Sequence, residues 1–294
     1  YDTGGSIGYN GAQSVKSGFG NHNMTGKVNF KKSEFTFYYG NRLQYFNEIW
    51  YDKKETFTFE DGTQYHRNQY AEANKKKNIQ QWGAITYNLQ DADNYMLNAT
   101  VGFSHDNDPD LRMKGELYTE EFPNSVTDRD EWNHDRSLSP YIDLYFQKDL
   151  KHKQFLALNI VGTYINTKNR SSYTELLDGT PVVDYYSGVR GKKYSLIAEG
   201  IYEKGFQDGS RLSTGIRHTQ GYTNNDYSGT LLFSSQMKQA DTYAYAQYSG
   251  KWGKLGYRLG LGVTRSWFQQ IGQEDYETYS LNPRLNLNYT FNEQ

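Results

Sequence analysis

The chain has 294 residues, with 28 Gly, 28 Tyr, 15 Phe, 5 Pro and no Cys, and a formal charge of −2. That length suits one large unit or two ordinary domains, the lack of cysteine excludes a small disulfide-stapled fold, and the near-neutral charge gives no electrostatic reason to bind nucleic acid. No run of about 18 apolar residues is present, so a helical membrane span is excluded, and many rings with few aliphatics is not the make-up of a soluble core.

The opening "YDTGGSIGYNGAQ" lacks the basic start and apolar stretch of an export signal and begins directly in a glycine-rich strand pattern, as a mature chain or a cut piece would. Strands are expected near 5–16 and 22–30. Short polar stops flanked by aromatic residues then recur at "NFKKSEF", "YNLQDADNY", "YFQKDLKHKQF", "YEKGFQDGS" and "WGKLGY", centred near Lys32, Ala92, Leu150, Asp208 and Gly253. Each is predicted to be a tight turn between two strands.

Beside the stops, residues alternate. Ile85, Tyr87 and Leu89 oppose Ala84, Thr86 and Asn88, and Tyr95, Leu97, Ala99, Val101 and Phe103 oppose Met96, Asn98, Thr100, Gly102 and Ser104. Pro140 to Phe146, Leu255 to Val263 and Tyr279 to Phe291 divide in the same way. Such stretches are extended chain with two unlike faces. Between them the chain turns polar and irregular, as over 105–136, so the connections are expected to run short, long, short, long. The regions 57–69, 172–188 and 224–237, with the turn signals "EDGT" and "LLDGTP", are expected to add hairpins at the long-connection end.

The predicted architecture is an all-β, antiparallel up-and-down transmembrane barrel wall of about twelve strands, forming one domain over 1–294. Short turns on one side, long connections on the other, alternating faces and aromatic girdles are the marks of an outer-membrane barrel. About ten strand residues tilted near 45° rise roughly 23 Å, close to the apolar band of about 25 Å. A soluble sandwich uses shorter strands, and a propeller needs four short strands every 40 to 45 residues.

"SLNPRLNLNYTFNEQ" at the C-terminal end resembles a strand and turn inside the barrel of TonB-dependent outer-membrane receptors, in particular the outer-membrane β-barrel family. The stretch "GGSIGYNGAQS" resembles the first barrel strand that follows their plug domain. The resemblance implies a bacterial outer-membrane location, a larger barrel of about 22 strands, and import of a siderophore, glycan, cobalamin or peptide. Its implied partners are outer-membrane lipid, the parent protein's own plug, TonB and a surface lipoprotein, with no nucleic acid. The sequence departs from the family in lacking a plug-like or TonB-engaging segment and a terminal strand aromatic, so a fragment with two open edges is expected. Two alternatives stand beside it: a passive porin of about twelve strands and a soluble extracellular glycan-binding β-protein.

Candidate chemistry is sparse, and no enzyme is expected. Asp106, Asp108 and Asp110, with Asp128, Asp130, Glu131 and Asp135 nearby, are hard oxygen ligands suited to calcium, but neither stretch has an EF-hand ligand series. No other cofactor is indicated. The six histidines have no metal-site spacing, and Ser213 and His218 fall on opposite faces of one strand. Arg217, Arg258 and Arg284 are placed on the lumen side, where guanidinium groups attract anions or plug carboxylates. Tyr118, Phe122, Trp132, Tyr173, Tyr185 and Tyr186 are expected in outer loops, where rings can stack on a sugar or siderophore.

Overall fold

The computed structural model describes residues 3–16, 18–91 and 94–291, with backbone alone at Asn47, Glu72, Ala73 and Asp110. Twelve strands follow one another: β1 (Gly4–Gln13), β2 (Gly20–Phe30), β3 (Ser33–Thr58), β4 (Gln64–Asp91), β5 (Tyr95–Thr119), β6 (Thr127–Leu150), β7 (Gln154–Leu177), β8 (Thr180–Gly205), β9 (Arg211–Gly229), β10 (Phe233–Trp252), β11 (Leu255–Gln270) and β12 (Tyr276–Tyr289). They form a single antiparallel sheet in strict chain order. No helix occurs among the described residues. The expected up-and-down order is present, but closure is not: β1 pairs only with β2 and β12 only with β11 among the described residues.

At one end the connections are tight. Residues 31–32, 151–153, 206–210 and 253–254 turn the chain, using left-handed backbone at Lys31, His152, Lys153, Gly209 and Gly253. The stop expected at Leu150 lies a little later, since β6 runs through Leu150 and the turn begins at Lys151. The stop at Ala92 lies outside the described residues. At the other end Asp178 and Gly179 both take positive φ, the requirement of a two-residue I′ hairpin.

The long irregular connections do not exist as loops. The stretch 105–136 is the outer part of β5 and β6, joined by a turn at 120–126. β3 to β8 have 24 to 28 residues each. At about 3.3 Å per residue the longest reaches roughly 90 Å, far more than a bilayer crossing needs. Two effects hid these strands. Where both faces are wet, no apolar alternation is required, and β-bulges between Ala71/Lys75, Lys77/Ile79 and Asp108/Leu111 reverse which side successive residues take.

Register joins like with like across the sheet. Leu281, Val263, Ala244, Ile216, Gly200, Leu158, Phe146, Leu97 and Leu89 form one cross-strand row. Leu196, Gly162, Ile142, Val101, Ile85, Phe37, Gly26 and Ile7 form another on the same face. The reverse face carries Ser280, Thr264, Tyr243, Arg217, Glu199, Asn159, Tyr145, Asn98, Asn88, Glu34 and Asn29 as a single row. Its members bond laterally, as in Asn98 to Asn88 at 2.5 Å and the neighbouring Thr86–Thr100 pair at 2.9 Å.

Among the described residues nothing covers the apolar face. Leu281 is 69% exposed, Leu285 66%, Ile85 61% and Val101 59%. The buried apolar residues among those described are Ala71, Ala84, Leu117 and Ala157. A sheet this large with no second layer has no internal core to hold it.

On the polar face, aromatic rings lie flat over glycines of the neighbouring strand and fill the gap where a side chain is missing, as Tyr141 does over Gly102. A Cβ at Gly102 would stand 2.5 Å from Tyr141 Cζ, whereas one at Gly256 meets only Asn288 at 3.5 Å. Gly102→Val is therefore expected to lower stability by about 1–3 kcal/mol through overpacking, and Gly256→Val to be neutral or stabilising through its β preference. Denaturant unfolding followed by tryptophan fluorescence compares the two, and equal midpoints would remove the role given to the ring.

Candidate functional site

Beside the apolar rows, the reverse face carries the charged, amide and ring groups of the sheet. Near the tight-turn end, Arg258 stands between Ser249 and Asn286, Arg284 opposite Gly260, and Arg217 between Glu199 and Tyr243. All three lie on the polar face. Among the described residues none enters an ion pair. A depression of 570 Å³ is lined by Glu203, Arg211, Gln247, Arg258, Asn286 and Asn288, and a second of 270 Å³ reaches Arg284 and Asn282. Glu203 is already engaged, accepting from Arg211 at 3.3 Å and Ser213 at 3.4 Å. Free guanidinium groups beside amide side chains can hold a carboxylate or phosphate by charge-assisted hydrogen bonds.

Towards the far end of β3 to β8 the same face carries a denser cluster. Arg129 has a side chain only 11% exposed and donates to Tyr51, Glu131 and Gln69 Oε1. Its guanidinium also lies over the rings of Tyr51, 5.8 Å away, and Tyr173, 5.3 Å away. Beside it Glu55 accepts from Arg67 Nη2 at 2.6 Å and Gln69 Nε2 at 3.1 Å, and pairs with Lys53 at 2.5 Å. The bond from Lys53, then that from Arg67, holds the Glu55 carboxyl below its ordinary range. Burial, then the bond to Glu175, raises the Tyr173 hydroxyl, so it stays a neutral donor at physiological pH.

The six aromatic candidates are not loop residues, with one exception. Phe122 is in the β5–β6 turn; the other five are in strands. Tyr173 and Tyr185 are opposite one another, stacked with centroids 5.6 Å apart, on the face of Arg129. Tyr118, Trp132 and Tyr186 alternate onto the opposite face. The candidates therefore do not converge on one site. Strand alternation splits the acidic residues too: Glu131 and Asp135 share the face of Arg129, while Asp128 and Asp130 take the other, where Asp130 accepts from Arg112 at 2.9 Å. Asp108 faces Asp135 across the strands and accepts from Asn78. Asp106 lies opposite Ser137, and the side chain of Asp110 lies outside the described residues. Among the described residues no group of three or more acidic or histidine side chains is arranged to hold a metal ion. Ser213 and His218 stand on opposite faces, and His218 bonds to Thr242 at 2.8 Å.

Arg129, Gln69 and Tyr51 carry no local signal. They come from three strands, far apart in sequence, and bulges in β3 and β4 separate Tyr51 and Gln69 from the regular alternation below. No protein-family model, curated protein or solved structure matches the chain.

Because its folded pKa is lowered, Glu55 contributes stability above the ordinary glutamate value, and that contribution is lost as pH falls through the lowered one. Carboxyl NMR is expected to show Glu55 titrating below free glutamate, and Lys53→Gln or Arg67→Gln to move it upward. A titration unchanged by both variants would separate Glu55 from these partners.

Proposed function

We propose that the chain is wall of an outer-membrane β-barrel, and specifically the barrel portion of a TonB-dependent transporter that imports a scarce nutrient such as a siderophore, glycan, cobalamin or peptide. The observation that carries this reading is the apolar face. It is continuous across the sheet, no layer covers it, and it is about ten residues deep, the depth of a bilayer's hydrocarbon band. In water such a surface would be far larger than the few hundred Å² a soluble monomer exposes.

Two further features support it. The apolar stretch is centred on Leu281 to Leu287 in β12, yet the row of Leu281 arrives in β3 at Ser33, below the apolar Phe35, Phe37 and Tyr39. The band thus slides along the ladder from strand to strand, as it must when strands cross a flat bilayer at a tilt. Second, β3 to β8 extend well past the band on the side away from the tight turns, which is the outward side of bacterial barrels.

Open edges cannot stay unpaired in hydrocarbon, where each bare backbone group costs several kcal/mol. Further strands of the parent protein are the partners this reading assigns to β1 and β12, with the plug, TonB and a surface lipoprotein as partners of the whole transporter. Arg258 and Arg284 on the inner wall then meet anionic groups of plug or cargo, and Tyr173, Tyr185 and Arg129 line the outer vestibule. No reaction and no cofactor is assigned. A passive porin would share the lipid face but must close its own edges.

The faces are tested in β12. Leu285→Arg and Leu287→Arg place charge in hydrocarbon at about 2–4 kcal/mol each, while Asn286→Arg keeps it on the wet side. In the parent barrel, folding into detergent or lipid is expected to fail for the first two and to persist for the third. Equal tolerance at the three positions, or folding in plain buffer, would remove the membrane assignment.

A further inference from the structure

Four cations crowd the outward face of β6, β7 and β8 just beyond its apolar band. Arg136 stands directly opposite Lys168, and Lys168 directly opposite Arg190. Arg170 lies two residues beyond Lys168 on the same face, between His134 and Gly188. Directly opposed side chains have Cβ atoms about 5 Å apart, and like charges so placed destabilise a sheet. Among the described residues none of the four enters an ion pair. The acid nearest to them in register is Asp226, opposite Arg190, and it already accepts from Ser234 at 2.8 Å and Asn224 at 3.3 Å. Arg170, Arg190 and Arg136 together push the Lys168 ammonium below its ordinary value. The protein therefore supplies too little negative charge for its own cluster.

The position of the patch selects the missing anion. Four residues below Lys168 lies a row of rings, Tyr164, Tyr194 and Tyr222, the last two stacked at 5.3 Å. Below these come Ile160, Leu158 and Leu196, each more than a third exposed. Aromatic rows mark the membrane interface of barrels, so the cations stand one step above it, at headgroup level. A depression of 250 Å³ there is lined by Lys168, Arg170, Arg190, Gly188 and Ser228. Arginine and lysine together suit phosphate oxygens.

We propose that this patch binds the phosphate groups of a phosphorylated glycolipid in the outer leaflet, whose acyl chains lie along the apolar rows beneath. The inference rests on the membrane reading above. The test uses the parent barrel that contains this chain, folded in detergent micelles, with bisphosphorylated lipid A, dephosphorylated lipid A and inorganic phosphate as probes in native mass spectrometry and thermophoresis. The bisphosphorylated lipid is expected to bind roughly tenfold or more tightly than the dephosphorylated one, and Lys168→Gln with Arg190→Gln to abolish that preference. A Lys151→Gln, Lys251→Gln pair at the tight-turn end is expected to keep it. If the double variant does not fold, Lys168→Gln alone is expected to weaken the preference several-fold. Equal binding of the two lipids, or an unaltered preference in the folded variant, would overturn the proposal, and displacement by inorganic phosphate would assign the patch to a free anion. A chain that folds in micelles but ignores phosphate loses this inference alone, whereas a chain that folds only without detergent loses the membrane reading as well.

Discussion

The backbone ladder is the one interaction that holds this molecule together. Twelve strands satisfy one another's amide and carbonyl groups in unbroken chain order, and among the described residues no second layer packs against them. In an ordinary domain the ladder is helped by a core that excludes water from at least one face. Here the apolar side chains meet only their lateral neighbours, so the free energy that would come from stacking two layers is absent. Whatever lies against the exposed leucines and isoleucines must supply it, and in the proposed membrane reading an acyl layer would do so over a whole band at once.

From that constraint the rest of the surface follows in order. A single sheet with one apolar face has a polar reverse face, and on this chain that face carries the unpaired guanidinium groups of Arg217, Arg258 and Arg284. Beyond the apolar rows both faces carry polar side chains, and lateral polar networks add to the ladder there. Arg129, Tyr51, Gln69 and Glu131 form one such network, and Arg112, Lys114 and Asp130 form another on the opposite side. Several other charges of these outer strands, such as Lys54, Lys76 and Asp128, also enter no ion pair among the described residues. The cations Arg136, Lys168, Arg170 and Arg190 differ in standing side by side across three strands, at the height where a lipid headgroup would sit in the proposed membrane reading.

How much was legible in the amino-acid order varies with height along the strands. Next to the tight turns it was nearly complete, because residues such as Leu97, Ala99 and Val101 must all face one way to keep one solvent. Farther out, His105 to Arg136 reads as a loop. Water on both faces imposes no pattern, and the bulge at Asp108/Leu111 breaks what pattern there is. The aromatic candidates show the same limit. Tyr173 and Tyr185 do come together, while Tyr118, Trp132 and Tyr186 turn away, and nothing local distinguishes the two groups.

What the sequence by itself determined is the two-faced strand and the count of twelve, since side-chain alternation is a property of neighbouring residues along an extended backbone. The tertiary structure alone decided which residues meet. Arg129 finds Tyr51 across a span of 78 residues, and Lys168 is set between Arg136 and Arg190. Such meetings depend on register, and register accumulates every bulge and turn length between two strands, which no short stretch of chain records.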